Sequence, residues 1–341
     1  MTNTEIEKYK ILATSNVFSI VTEAVSHPLD EPAIVIYDTE SPLSLILLDA
    51  YKSVLKNAVF LDFDSVPKDV IIESFKSLAH GNLVVLIQSM DFRLNEFRIR
   101  IFLFQRGLKV IDHQHLSRNT DDSYTTYLNS LEYDSEWYRT VGPDLKSWLE
   151  KTMSLRVESD RTTLTVTGGL EEPKLNIGDY TGMKNIGGTF PIGEVFTEAK
   201  DLGLMNGSIL VYAFADMDFH VSMHEPFEVS IEKGCVVGWG DSTPQNFISL
   251  VSLVKTHERA LIREIGFGLN RAITQEHYLK DITAFERILG MHFSLGEKHT
   301  VFKKQGITAD KTRFHIDLFP IVERVFSNEK LIFENGTYLV S

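Results

Sequence analysis

Hydrophobic residues in the first third of the chain come in short runs that are rich in β-branched side chains. Four runs have the pattern of strands buried on both faces: AIVIYD (33–38), AVFLDFD (58–64), LVVLIQ (83–88) and LKVIDH (108–113). The segments that follow the first two runs repeat apolar residues at spacings of three and four, as amphipathic helices do. This alternation of strands and helices predicts an α/β three-layer domain with a largely parallel sheet.

The second half of the chain has a different pattern. The sequence RVESDRTTLTVTG (156–168) alternates polar and apolar residues, which predicts antiparallel strands with one exposed face. Glycines cluster in the sequence that follows, and Asn206-Gly207 is typical of a turn. We therefore expect an α/β domain at 1–150 and a β-rich α+β domain at 151–341.

A nucleotide-binding role is excluded for the Rossmann-like first domain. A glycine-rich turn should follow its first strand, but the sequence there is TESP (39–42). The glycine-rich sequence NIGGTFPIGEVF (185–196) lacks the Gly-Lys-Ser/Thr of a phosphate loop. We expect the first domain to have a structural or interface role.

Charge and composition narrow the possible partners. The chain has 34 basic and 47 acidic residues and a net charge of −13, so phosphate backbones and anionic membranes repel it. Cys235 is the only cysteine, which excludes an intrachain disulfide and a cysteine-based zinc site. The sequence shows neither the pattern of a signal peptide nor an apolar run of about 20 residues. We expect a cytoplasmic protein that binds neither nucleic acid nor membrane.

Candidate metal ligands lie in the last third of the chain. In RFHIDLF, a strand period of two puts His315 and Asp317 on one face, where an imidazole and a carboxylate can hold a metal ion. The same pattern also describes the wet face of an amphipathic strand. His292 is either a core histidine or a ligand, and Glu264 is either an ion-paired surface acid or a ligand.

Four motifs together resemble the aminopeptidase T family, which comprises metal-dependent leucyl aminopeptidases with a two-metal centre. They are GEVF (193–196), EIGFGLN (264–270), GMHFSLG (290–296) and HIDL (315–318). Their order and spacing cover most of the second half of the chain, and the α/β first half agrees with the amino-terminal domain of that family.

The resemblance implies a metal-dependent aminopeptidase that acts on small peptides and forms a homodimer. Two zinc or cobalt ions about 3.5–4 Å apart would activate a water molecule and polarise the scissile carbonyl. His299 stands where the family has a tyrosine, seven residues after a ligand histidine, so Glu264 and His299 are the implied catalytic residues. The implied metal ligands are Glu194, Glu264, His292, His315 and Asp317.

Two alternative functions fit the same motifs. Ring-cleaving dihydroxypyridine dioxygenases resemble this family and use one non-haem iron, which needs only about three protein ligands. Because a histidine replaces the tyrosine, a catalytically impaired relative that binds metal and a partner is the third hypothesis. Five ligand-type residues favour two ions, and the identity and number of bound ions separate the three hypotheses.

Overall fold

The computed structural model describes residues 2–94, 98–299, 301–308 and 311–340. Within these ranges, no helix is both long enough and apolar enough to cross a membrane. The helices are α1 (Asn3–Ser19), α2 (Pro42–Val54), α3 (Lys68–Ser77), α4 (Ile99–Gln105), α5 (Tyr124–Ser130), α6 (Ser135–Glu150), α7 (Gln245–Lys255) and α8 (Ile282–Phe285). The strands are β1 (Ala33–Tyr37), β2 (Val59–Asp62), β3 (Leu83–Ile87), β4 (Lys109–His113), β5 (Ser154–Glu158), β6 (Thr163–Thr167), β7 (Lys174–Asn176), β8 (Gly187–Phe190), β9 (Glu194–Thr197), β10 (Met205–Ala215), β11 (Val221–Glu232), β12 (Cys235–Trp239), β13 (Ile262–Gly268), β14 (Gly290–Leu295), β15 (Ile316–Pro320), β16 (Arg324–Ser327), β17 (Lys330–Glu334) and β18 (Thr337–Tyr338).

The chain forms two compact units, and each unit combines three separate segments. Residue 150, where the change of pattern places a domain boundary, lies in the first segment of the second unit; the division into domains 1–150 and 151–341 stays a prediction. The first unit comprises Met1–Tyr138, Gly178–Ile192 and Gln275–Ala284, and the second comprises Arg139–Ile177, Gly193–Thr274 and Phe285–Ser341.

The first unit contains a five-stranded sheet in the order β2-β1-β3-β4-β8, with every neighbouring pair parallel. The four predicted strands form β1 to β4, and the two predicted helices form α2 and α3. Ile71 and Phe75 of α3 pack with Ile34 and Val84 in a core whose residues are all buried. This unit therefore confirms the predicted parallel sheet with helices.

The fifth strand, β8, comes from the glycine-rich sequence that precedes Glu194. Gly187 pairs with Val110 of β4 at a φ of +100°, a conformation that favours glycine. A Cβ at Gly187 would overlap the carbonyl oxygen of Val110. The glycine thus permits close pairing with β4, and the sequence analysis did not predict this strand.

The second unit contains a thirteen-stranded sheet with antiparallel pairing. Along its main path the strand order is β18-β17-β16-β5-β6-β10-β15-β14-β13-β9-β7, and β11 pairs with β10 and β12. The predicted antiparallel strands are β5 and β6, whose register places Arg156 opposite Thr165. Leu164 and Val166 are buried in β6 while the residues between and beside them are more exposed, as the alternating pattern predicts.

The predicted turn at Asn206-Gly207 is wrong, since both residues lie inside β10. Gly207 has a φ of +130°, and a Cβ there would overlap the carbonyl oxygen of Thr163 in β6, the neighbouring strand of the sheet. An Asn-Gly pair marks a position that tolerates unusual backbone angles, and here that position is a close approach between strands.

Candidate metal centre

The register of four adjacent strands places the predicted ligands in neighbouring rows. The strands β9, β13, β14 and β15 lie side by side in the second unit. In one row Glu264 lies opposite Ser294, which lies opposite Asp317. Because directly opposed residues of antiparallel strands share a face, Glu264 and Asp317 point to the same side of the sheet.

The next two rows add the remaining ligands of the central strands. Gly266 lies opposite His292, and Gly268 lies opposite Glu194. Since Glu264, Gly266 and Gly268 are two residues apart along β13, all three rows face the same side. The pleat of the sheet therefore brings together side chains that lie far apart in the sequence.

The side chains meet at contact distance in a buried cluster. His292 Nε2 lies 3.2 Å from Glu264 Oε1 and 3.5 Å from Glu194 Oε1. His315 Nε2 lies 3.3 Å from Asp317 Oδ1, and the hydroxyl of Ser294 donates a hydrogen bond of 2.5 Å to the same oxygen. Glu194, Glu264, His292 and Asp317 are at most 6% exposed.

The orientation of His315 suits a metal ligand. Its Nδ1–H donates a hydrogen bond of 3.1 Å to the carbonyl oxygen of Lys298. The second nitrogen, Nε2, consequently faces Asp317. A backbone acceptor on one ring nitrogen commonly fixes the tautomer in which the other nitrogen binds a metal.

His299 belongs to the same cluster. Its Nε2 lies 3.0 Å from Glu264 Oε2, and its Nδ1 lies 3.6 Å from Glu198 Oε2. Glu198 is fully buried and forms a two-pronged ion pair with Arg263, whose exposure is 1%. His299 thus lies between two carboxylates, one of which is paired with an arginine.

The sequence analysis did not identify Glu286 and Arg287 as residues of the cluster. A carboxylate oxygen of Glu286 lies close to ligand atoms of Glu194 and His292. These three atoms are within 4.8 Å of one another. Arg287 donates from Nη1 to Glu194 Oε2, and its Nη2 lies 2.8 Å from Glu286 Oε1. The available sequence signal was an acidic and a basic residue side by side in the apolar stretch AFERILGMHF.

The carboxylates of the cluster stabilise positive charge on the neighbouring histidines. Burial acts to lower the pKa of both imidazoles, but the hydrogen bond to Glu264 and nearby carboxylates raise the pKa of His292 to about 9. The charge of Asp317 likewise outweighs burial and raises the pKa of His315 to about 10. Burial raises the pKa of Glu286 to about 8, although Arg287 opposes this. Both histidines therefore bind protons where a metal ion could supply the charge.

The donor set fits a divalent metal ion. Within the described part of the chain, Glu194 Oε1 and His292 Nδ1 are buried and make no hydrogen bond. A buried carboxylate oxygen without a hydrogen bond is costly unless a cation or another donor reaches it. Imidazole and carboxylate ligands together suit zinc, cobalt or iron.

Comparison by sequence finds no family model and no curated protein that matches the chain. Solved structures do match it, and two of them are covered over almost their whole lengths. The 2,5-dihydroxypyridine dioxygenase of Pseudomonas putida KT2440 has 13% identity and a TM-score of 0.62, with 98% of each chain covered. Wild-type AmpT from Thermus thermophilus has 10% identity and a TM-score of 0.59, with 97% of this chain and 100% of AmpT covered.

The chain has an aminopeptidase T-like fold. The likeness to AmpT extends through both the parallel sheet and the large antiparallel sheet, since it covers 97% of this chain. The dioxygenase likeness has a similar extent and level, so the fold alone does not separate the two kinds of chemistry.

Proposed function

We propose that the protein is a metal-dependent aminopeptidase that hydrolyses N-terminal residues from small peptides. Zinc or cobalt is the proposed metal, and a cytoplasmic location and a homodimer belong to the same proposal. The observation that carries it is the convergence of residues from four motifs of the sequence on one side of the sheet in the second unit. Four of them are buried and the fifth, His315, is 31% exposed; the set is Glu194, Glu264, His292, His315 and Asp317.

Each group in the cluster has a role in this proposal. Glu264, His292, His315 and Asp317 would hold the metal, and Glu194 Oε1 would be available as a further ligand. A bound divalent ion supplies Lewis-acid activation of water and of the peptide carbonyl.

His299 is the proposed acid–base group. It can hold a proton at Nε2, where Glu264 Oε2 lies 3.0 Å away, and give that proton to the leaving amine. Glu198, on the far side of the ring, stabilises the protonated imidazole through its charge. Since the Arg263 guanidinium already pairs with Glu198, the ring is oriented without leaving a buried carboxylate unpaired.

The test uses the full-length protein, stripped with a chelator and reloaded with zinc, cobalt or iron. We expect bound metal by elemental analysis and hydrolysis of aminoacyl p-nitroanilides, but not of their N-acetylated forms. Removing a ligand in Glu264→Gln or His315→Ala should lower metal affinity and activity by at least about 100-fold, beyond the usual effect of an outer-shell change. His220→Ala, at an exposed histidine, is the matched control and should change neither.

Protein that retains no divalent ion after incubation with any of the three metals would overturn the metal proposal. Bound metal without hydrolysis of any member of a broad panel of aminoacyl amides and dipeptides would overturn the aminopeptidase assignment alone. A metal-bound protein of that kind would fit the impaired relative that binds a partner.

A ring-cleaving dioxygenase is the second candidate, and one observation favours it. His292, His315 and Asp317 are two imidazoles and one carboxylate, the ligand set of non-haem iron oxygenases, while Glu194 is already engaged by Arg287. Protein loaded with ferrous iron without oxygen should then consume oxygen when 2,5-dihydroxypyridine is added. Oxygen uptake with iron and no peptide hydrolysis with zinc would decide for this candidate.

A further inference from the structure

Arg287 places a permanent positive charge inside the candidate metal centre. The residue is 7% exposed, so its guanidinium has almost no contact with solvent. Arginine stays protonated in proteins, and its planar fork can hold two carboxylates at once. Here one nitrogen, Nη1, donates to Glu194 Oε2, while Nη2 lies 2.8 Å from Glu286 Oε1.

The guanidinium thus contacts both acids of a candidate ligand group. Among the described residues, Glu194, Glu286 and His292 have ligand atoms that lie within 4.8 Å of one another. In a centre with two ions, a carboxylate often bridges them, one oxygen on each ion. The two oxygens of Glu194 likewise have different partners. Oε2 accepts a hydrogen bond from Arg287, and Oε1 lies 3.5 Å from His292 Nε2.

We propose that the Arg287 guanidinium takes the place of a second metal ion, so that the centre holds one divalent ion per chain. This inference rests on the proposed metal-dependent function and concerns the number of ions. It replaces the two-ion centre that the family resemblance implies for this chain.

Electrostatics and the remaining ligands both support a single ion. A second divalent ion between Glu194 and Glu286 would lie beside the guanidinium, and like charges repel strongly where burial lowers the dielectric. The other ligands form two pairs, Glu264 with His292 at 3.2 Å and His315 with Asp317 at 3.3 Å, and the strand register places Glu264 and Asp317 in the same row of the sheet. Two imidazoles and two carboxylates are enough for one ion.

The decisive experiment compares metal stoichiometry in the wild-type protein and in Arg287→Glu. Each protein is stripped, titrated with zinc or cobalt in a calorimeter and analysed for metal content per chain. We expect one ion in the wild type and two in Arg287→Glu, because the substitution removes the cation and adds a carboxylate beside Glu194 and Glu286. Arg161→Glu makes the same charge change at an exposed arginine and should keep one ion.

Arg287→Gln provides a second test if Arg287→Glu does not fold, since it removes the charge and keeps a polar side chain of similar length. It should also bind two ions. Two ions in the wild type, or one ion in a folded Arg287→Glu or Arg287→Gln protein, would overturn the inference and leave the metal-dependent function standing. No ion in the wild type would instead overturn the proposed function on which it rests.

Discussion

At the residue scale, the position of the His292 ring depends on a glycine, Gly266, directly opposite it in the neighbouring strand. Its ring lies against the backbone of Gly266, where a Cβ would overlap three ring atoms. Gly266→Ala should therefore displace the ring and lower zinc or cobalt affinity by about 10- to 100-fold, the usual effect of disturbing a ligand's support. Calorimetric titration of the stripped protein measures this loss.

Gly188→Ala is the matched control for this substitution. Gly188 also lies in a strand, but a Cβ there meets no atom of the described residues within 4 Å. The control should keep wild-type affinity. Equal affinity in Gly266→Ala and the wild type would show that the ring does not need the space that the glycine leaves.

Residue patterns in the sequence were informative where a motif spans a strand. The HxD pattern placed His315 and Asp317 on one face, and their side chains lie 3.3 Å apart. Glu286 and Arg287 carried no comparable pattern, because they lie outside the regular strands and reach the cluster through the fold. Sequence spacing predicts which side chains share a face only within a regular helix or strand. It therefore gives no indication that a residue in an irregular segment reaches the site.

At the element scale, a buried ion pair connects β13 to the segment that follows β9. Arg263 lies in β13 and pairs with Glu198, and its remaining donors bond the carbonyl oxygens of Glu297 at 2.8 Å and Phe302 at 3.0 Å. Removing one partner of such a pair leaves a buried charge without compensation. Glu198 Oε2 also lies 3.6 Å from His299 Nδ1, so the ion pair borders the candidate metal centre.

Glu198→Gln should therefore destabilise the protein by about 3–5 kcal/mol, the cost of leaving one buried charge unpaired. Urea unfolding measures the change in the free energy of unfolding. Lys174→Gln, which breaks an exposed ion pair with Glu172, should leave that free energy unchanged within error. A loss no larger than that of the Lys174 variant would contradict the structural role of the pair.

Elements whose two faces are both apolar were predictable, whereas β8 was not. The runs that form β1 and β3 are almost fully apolar, so their burial follows from composition. The strand β8 is only four residues, Gly187–Phe190, and begins with two glycines. Its place in the parallel sheet depends on backbone pairing with β4, which has no signature in side-chain hydrophobicity.

At the scale of the whole molecule, the chain moves between its two units more often than the sequence suggested. The segments Gly178–Ile192 and Gln275–Ala284 belong to the first unit although they lie among segments of the second. Neither segment is marked by a low-complexity linker. A single change of hydrophobic pattern along the sequence predicts that the chain passes once from the first domain to the second. The folded chain instead passes between the two units several times.

The pH dependence of the stability of the whole molecule involves a buried histidine far from the metal ligands in sequence. His113 ends β4 and is fully buried, with Nε2 2.8 Å from the hydroxyl of Tyr51 and Nδ1 3.1 Å from that of Tyr127. A neutral ring can accept at one nitrogen and donate at the other. Burial lowers the pKa of His113 from 6.5 to about 3, so the ring stays neutral in the folded state.

Since the unfolded chain binds a proton to His113 below its ordinary pKa of 6.5 and the folded chain does so only near 3, stability falls as the pH falls through this window. Asp112 acts in the opposite direction between 3.8 and about 6, because burial raises its pKa. Comparing the wild type with His113→Gln, which keeps Asp112, isolates the histidine. Between pH 6 and pH 5 the wild type should lose about 1 kcal/mol more stability than the variant in urea unfolding. Parallel profiles for the two proteins would mean that His113 takes up its proton equally well in both states.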